Sequence, residues 1–138
     1  MKNKIAIVTV HAGSTKNLIK TIDSINNQFV KPDLHLIVSK NYDNNFLLYK
    51  KKYNKFIFKK DKSIYNAMNI GLKLTRDYFL FFLNSGDYLY SSNSIKIIKR
   101  FINLYKNKCI NFKTILEYKK KRFLIKDQIF KKNNFFSH

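Results

Sequence analysis

Tryptophan is absent, and the chain has one cysteine, one proline, three glycines and eight acidic residues among 138. A single cysteine, Cys109, excludes a disulfide framework and a cysteine-rich zinc site within the chain. Set in the apolar run K-C-I, it suits a reducing compartment. No stretch approaches the roughly 20 apolar residues of a spanning helix. The opening M-K-N-K-I-A-I-V-T-V-H has too short an apolar run for a signal peptide. The chain is therefore expected to be soluble and cytoplasmic, within reach of the inner face of the membrane. Proline and glycine do not cluster into a linker, and no internal repeat is visible.

Basic and apolar residues fill the space that these absences leave. Lys and Arg number 28, giving a formal net charge of +20. Apolar residues make up 45% and aromatics 16%, which excludes a disordered chain. The length suits one domain, burying roughly two-thirds of the unfolded surface. The charge has two readings at this point. Lys, Asn, Ile, Phe and Tyr are all encoded by AT-rich codons, so composition bias accounts for it. Selection for a polyanion or an anionic membrane surface is the other, less economical reading.

Periodicity orders the chain. Ile5 to Val10 reads as a buried strand, followed by the loop His11 to Thr15. Leu18, Ile19, Ile22 and Ile25 recur at helical spacing as far as Asn26-Asn27. After the turn Pro32-Asp33, Leu34 to Val38 is a second strand closed by Ser39-Lys40-Asn41. Asn44 to Tyr53 reads as a helix and Phe56 to Phe58 as a short strand. Ser63 caps a helix to Thr75, with Ile64, Ala67, Met68, Leu72 and Leu74 expected on its buried face. Tyr78 to Leu83 is apolar throughout, which predicts a parallel strand buried on both faces. A fourth helix, capped by Ser92, Asn93 or Ser94, runs to about Asn107. Cys109 to Tyr118 and Arg122 to Ile125 then form two strands around Lys119-Lys120-Lys121.

Strand–helix alternation over residues 4–107 predicts an α/β fold with a largely parallel sheet flanked by helices and a short β-rich C-terminal segment. Ligands in such sheets bind beyond the carboxyl ends of the strands. That rule aligns His11-Ala12, Ser39-Lys40, Lys59 to Asp61 and Ser85 to Asp87 on one rim. Asp87, delivered on the turn Asn84-Ser85-Gly86 by the strongest strand, is a candidate ligand for magnesium or manganese. Asp is also a common turn residue, so the position alone does not decide.

The longer pattern is more specific. D-K-S-I-Y-N-A-M-N-I-G-L followed by Y-F-L-F-F-L-N-S-G-D resembles the core of family 2 glycosyltransferases, nearest the bacterial colanic-acid and exopolysaccharide branch. Asp61, Ile64, Tyr65, Ala67, Met68, Asn69, Gly71 and Phe82 to Asp87 carry the resemblance. Phe135-Phe136-Ser137-His138 is similar to the family's F-F-x-H segment, after which relatives continue, so a C-terminally short relative is expected.

The resemblance implies a GT-A, Rossmann-like domain, with residues 1–107 as nucleotide-sugar core and 108–138 as a partial acceptor-side segment. It implies a hexosyl-type transferase moving sugar from a nucleotide-diphosphate donor to a glycan or lipid-linked acceptor in surface polysaccharide synthesis. It implies that Asp87 holds Mg²⁺ or Mn²⁺, and that Thr9, His11, Lys40, Asp61, Tyr65, Asn66, Asn69 and Ser85 line the donor site. The catalytic base stays unassigned. Asp127 and Glu117 are candidates in the C-terminal part, and His138 is a terminal one.

Three departures stand out. Lys40 adjoins the place of a base-contacting Asp, Ser63 replaces a Gly, and Asn66 replaces an Asp. They keep open a degenerate relative without turnover. The dispersed charge and the run Tyr49-Lys50-Lys51-Lys52-Tyr53 keep open a nucleic-acid-binding protein, although no RNA-binding signature is present.

Overall fold

The computed structural model describes residues 4–60, 63–105, 114–118 and 121–125. Two compact units divide the chain, Met1–Lys106 and Asn107–His138. The first holds a four-stranded parallel sheet: β1 (Ile5–His11), β2 (Leu34–Ser39), β3 (Asn54–Phe58) and β4 (Phe79–Phe82) in the order β3-β2-β1-β4. The helices are α1 (Thr15–Asn26), α2 (Ile64–Leu74) and α3 (Ser94–Leu104). This is the α/β arrangement that strand–helix alternation predicts. In the second unit β5 (Thr114–Tyr118) and β6 (Lys121–Ile125) pair antiparallel, and Glu117 sits opposite Arg122 in a 3.7 Å ion pair. The expectations for Asp61, Cys109, Asp127 and Phe135 to His138 lie outside the described residues.

β1 and β2 are buried along nearly their whole length, and side-chain alternation divides them between two faces. Val8, Val10, Leu36 and Val38 pack against Ala67 of α2, while Ile37 packs with Leu18 and Ile22 of α1 and with Phe46. At the opposite end of the sheet from the rim, Asp33 Oδ2 accepts from the Ile5 backbone N–H at 2.9 Å and pairs with Lys99 of α3 at 3.3 Å.

Four expectations need correction. The segment after β2 is a single 3₁₀ stretch, Asn44–Tyr49, capped by the Asp43 side chain, and it does not continue to Tyr53. Asn54 instead starts β3, because its backbone pairs with His35. β4 is not buried on both faces. Among the described strands it pairs only with β1, so it forms the sheet edge, and Phe82 is 39% exposed. His11 belongs to β1 rather than to a loop, since it pairs with Ser39.

The fourth correction concerns α2. Its buried residues are Ala67 and Gly71, whereas Ile64, Leu72 and Leu74 are exposed. The small residues decide this face because the helix lies close against β1. A Cβ on Gly71 would stand 2.5 Å from Val8 Cγ1. Gly71→Ala should therefore lower stability by about 1–2 kcal/mol, the overpacking strain exceeding the gain in helix propensity. Urea unfolding of the variant checks it. A stabilised Gly71→Ala would mean that Val8 moves aside freely.

Candidate functional site

The carboxyl ends of the strands form one rim, held in register by main-chain bonds. Lys40 N donates to His11 O, and Lys59 N donates to Ser39 O, each at 3.0 Å. Beyond β4 the pairing with β1 continues, with Leu83 N on Val8 O at 3.0 Å and Ser85 N on Val10 O at 3.2 Å. The chain then turns at Gly86, whose φ of +101° is a left-handed value that an L side chain rarely adopts. Asp87 follows with its side chain exposed.

On one side of the rim, Val10, His11, Ala12, Val38 and Lys40 face Ser63, Ile64 and Ala67 across a cleft of about 140 Å³. Its walls are mostly apolar, and Lys40 supplies a cation at the edge. Ser63 caps α2 by accepting from Asn66 N at 3.2 Å, so the helix's N-terminal end opens toward the cleft. The first turn of α2 carries no acidic residue.

On the other side, His11 Nδ1 lies 2.9 Å from Ser85 Oγ, joining β1 to the turn that bears Asp87. Its ring stands edge-on to Phe46. Burial pushes the His11 imidazole below its ordinary pKa, and the negative charge of Asp43 opposes that shift. His11 is thus neutral near pH 7. Asp43 accepts from the Asn45 backbone N–H at 2.9 Å and from Thr15 Oγ1 at 2.7 Å. Those two bonds, led by the Asn45 amide, hold its carboxyl below the usual range, with His11 adding a smaller pull.

The turn itself is held from beneath by α1. Thr21 is fully buried, and its hydroxyl donates to Asp87 O at 2.7 Å while accepting from Gly86 N at 2.9 Å. One turn on, Ser24 Oγ accepts from Leu89 N at 3.2 Å. Gln28, also buried, donates to Ser91 O at 2.7 Å and accepts from Ile95 N at 3.1 Å. Thr21 and Ser24 on α1, and Gln28 just past its end, satisfy the irregular backbone between β4 and α3. Asn84 Oδ1 is buried without a hydrogen-bond partner in the described structure.

The structure brings His11, Lys40 and Ser85 to the rim. Thr9 lies inside the sheet, fully buried, with its hydroxyl 3.0 Å from His35 Nε2. Tyr65, Asn66 and Asn69 are exposed on α2 and do not line the cleft. Asp43 and Thr21 were missed by sequence reasoning. A threonine at helical spacing between apolar neighbours carries no sign of its partner 65 residues away. Asp43 stands three residues past Lys40 in a polar run, where a cap and a site residue look alike.

No group of three His, Cys, Asp or Glu side chains among the described residues converges as a metal cage. A cation held by protein alone does not fit these residues. One exposed hard-oxygen ligand, Asp87, does fit a cation that arrives with a diphosphate, which needs only one or two carboxylates.

No protein-family model matches the sequence, and no curated protein does. Two solved structures of S. aureus TarS share the fold. One has a TM-score of 0.61 over 83% of this chain and 21% of that chain. The other, TarS 1–349, has a TM-score of 0.63 over 75% of this chain and 33% of that one. Identity is 18% in both. The chain thus spans between about a fifth and a third of their length, and what the likeness shows is a shared α/β fold.

Proposed function

We propose that this chain is the donor-binding part of a glycosyltransferase, taking a nucleotide-diphosphate sugar and passing the sugar to a glycan or lipid-linked acceptor. One juxtaposition supports it above the rest. A mostly apolar cleft edged by Lys40 and a turn presenting Asp87 stand at the carboxyl end of one parallel sheet, on either side of His11. The cleft suits the apolar faces of a nucleoside. Asp87 with Mg²⁺ or Mn²⁺, and Lys40, suit the negative charge of the diphosphate. When bound, the metal would neutralise charge that develops on the leaving diphosphate. Neutral His11 would hold Ser85 and, through it, the turn of Asp87. The buried orphan Asn84 Oδ1 is an acceptor that a bound ligand could satisfy.

Calorimetry with UDP and GDP, with and without manganese, tests this. Binding should require the metal, and Asp87→Ala should weaken it at least about tenfold, the loss of a charge-assisted metal contact. If neither nucleotide gives heat with manganese, the donor site is not there.

Lys40 favours a second reading, a relative that binds a nucleotide without turning it over. A lysine offers donors only, whereas the family pattern places a carboxylate acceptor there. Sugar transfer or donor hydrolysis by the 138-residue chain would exclude it.

A further inference from the structure

We infer that the outer face of α3 is a docking surface for an anionic lipid bilayer. This assigns a place to the membrane-side acceptor in the reading above, and it rests on that reading only for the choice of acceptor. The helix buries Ile95, Ile98 and Ile102 against the core. Its opposite side still carries Ile97, Phe101 and Leu104, with Tyr105 following as the C-cap, exposed by 46%, 38%, 65% and 45%. Ile97, Phe101 and Leu104 fall at i, i+4 and i+7, so they form one continuous stripe along the axis. Phe101 and Tyr105 stack on each other at 6.0 Å, which makes a flat aromatic end to the stripe. Lys96 and Arg100, also exposed and four residues apart, run along one flank.

An apolar stripe bordered by cations is the pattern of a helix lying in the headgroup layer, where the apolar side enters the acyl boundary and the cations meet lipid phosphates. Charge complementarity selects this occupant over others. A second copy of a chain with net charge +20 would be repelled. Nucleic acid would reward Lys96 and Arg100 and leave Ile97 and Leu104 unburied. The exposed Leu47 and Leu48 on the 3₁₀ stretch are neighbours in sequence and form no such stripe.

Vesicle flotation tests the assignment, with phosphatidylglycerol–phosphatidylcholine vesicles against pure phosphatidylcholine. The wild-type chain should float with the anionic vesicles only. The double variant Ile97→Ser/Leu104→Ser should bind about tenfold less, because the buried apolar area is lost. Lys96→Gln and Arg100→Gln should each cost about fivefold at low salt. Leu47→Ser/Leu48→Ser should leave flotation unchanged, and circular dichroism should show all variants folded, since every substituted side chain is exposed. Equal flotation of the α3 double variant and the wild type overturns the inference. So does a dimer in sedimentation that the α3 variant abolishes, or binding that RNA displaces completely. Nucleotide calorimetry on the α3 variant separates the two proposals, because donor binding should be intact when lipid binding is gone.

Discussion

Acidification from neutral pH to about pH 4 is expected to remove roughly 3 kcal/mol of folding stability through one side chain, His35. His35 is fully buried in β2, and burial pushes its pKa from the ordinary 6.5 down to about 4. Two neighbours fix its neutral form. Asn54 donates its Nδ2 to Tyr49 O at 2.9 Å, which leaves Asn54 Oδ1 to accept from His35 Nδ1–H at 3.2 Å. His35 Nε2 is then the acceptor for the Thr9 hydroxyl at 3.0 Å. The unfolded chain takes up a proton near pH 6.5, whereas the folded chain resists until about pH 4. Between those values the unfolded state binds more protons. Stability therefore falls as pH drops below 6.5 and levels off below the folded pKa, as far as this group is concerned.

Carboxylates such as Asp43 add their own losses at the acid end, so the interval from pH 6.5 to 5 is the informative one. His11, also lowered by burial, contributes there with the same sign. His35→Gln should be less stable at pH 7 by about 2 kcal/mol, since Thr9 and Asn54 lose a matched partner. Its stability should nevertheless depend less on pH over that interval. Urea unfolding at several pH values measures both effects. An unchanged slope in His35→Gln would show that His35 is not the titrating group.

Replacing Thr21 by valine should disturb the site more than any substitution in the cleft wall. Valine keeps the shape and removes the hydroxyl that bridges Gly86 N and Asp87 O. Two backbone groups of a tight turn then lose their partner, at a cost of about 2–3 kcal/mol. The turn that aims Asp87 also loses its anchor, so manganese-dependent nucleotide affinity should fall by about tenfold on the basis of the positioning argument. Thr21→Ser restores the hydroxyl and should recover the affinity even where some packing stability is lost. That split distinguishes a positioning residue from a core residue. Thr21→Val with normal affinity would leave Thr21 with a structural role alone.

Local chemistry made much of this protein legible in its sequence. The apolar runs of β1 and β2, the capping Ser63, the turn at Pro32-Asp33 and the glycine turn before Asp87 each depend on neighbours within a few residues. The N-S-G-D turn needed a left-handed residue, and Gly86 supplies it. The alternation of elements was enough to give a parallel α/β sheet and to align the carboxyl ends of its strands along one rim.

Tertiary structure decided what depends on distant partners. Tyr78 to Leu83 looked doubly buried, yet a strand's burial is set by its neighbours in the sheet, and β4 has only β1 beside it among the described strands. Leu72 and Leu74 looked like core, yet close approach to Val8 turned the small face of α2 inward. The family resemblance implied a donor-site role for Thr9, whereas its hydroxyl is turned into the sheet against His35. The central stretch announced Asp87 and the strand that delivers it. Its aim is set by a threonine on α1, because a turn with a left-handed glycine has backbone groups that only a residue packed beneath it can satisfy.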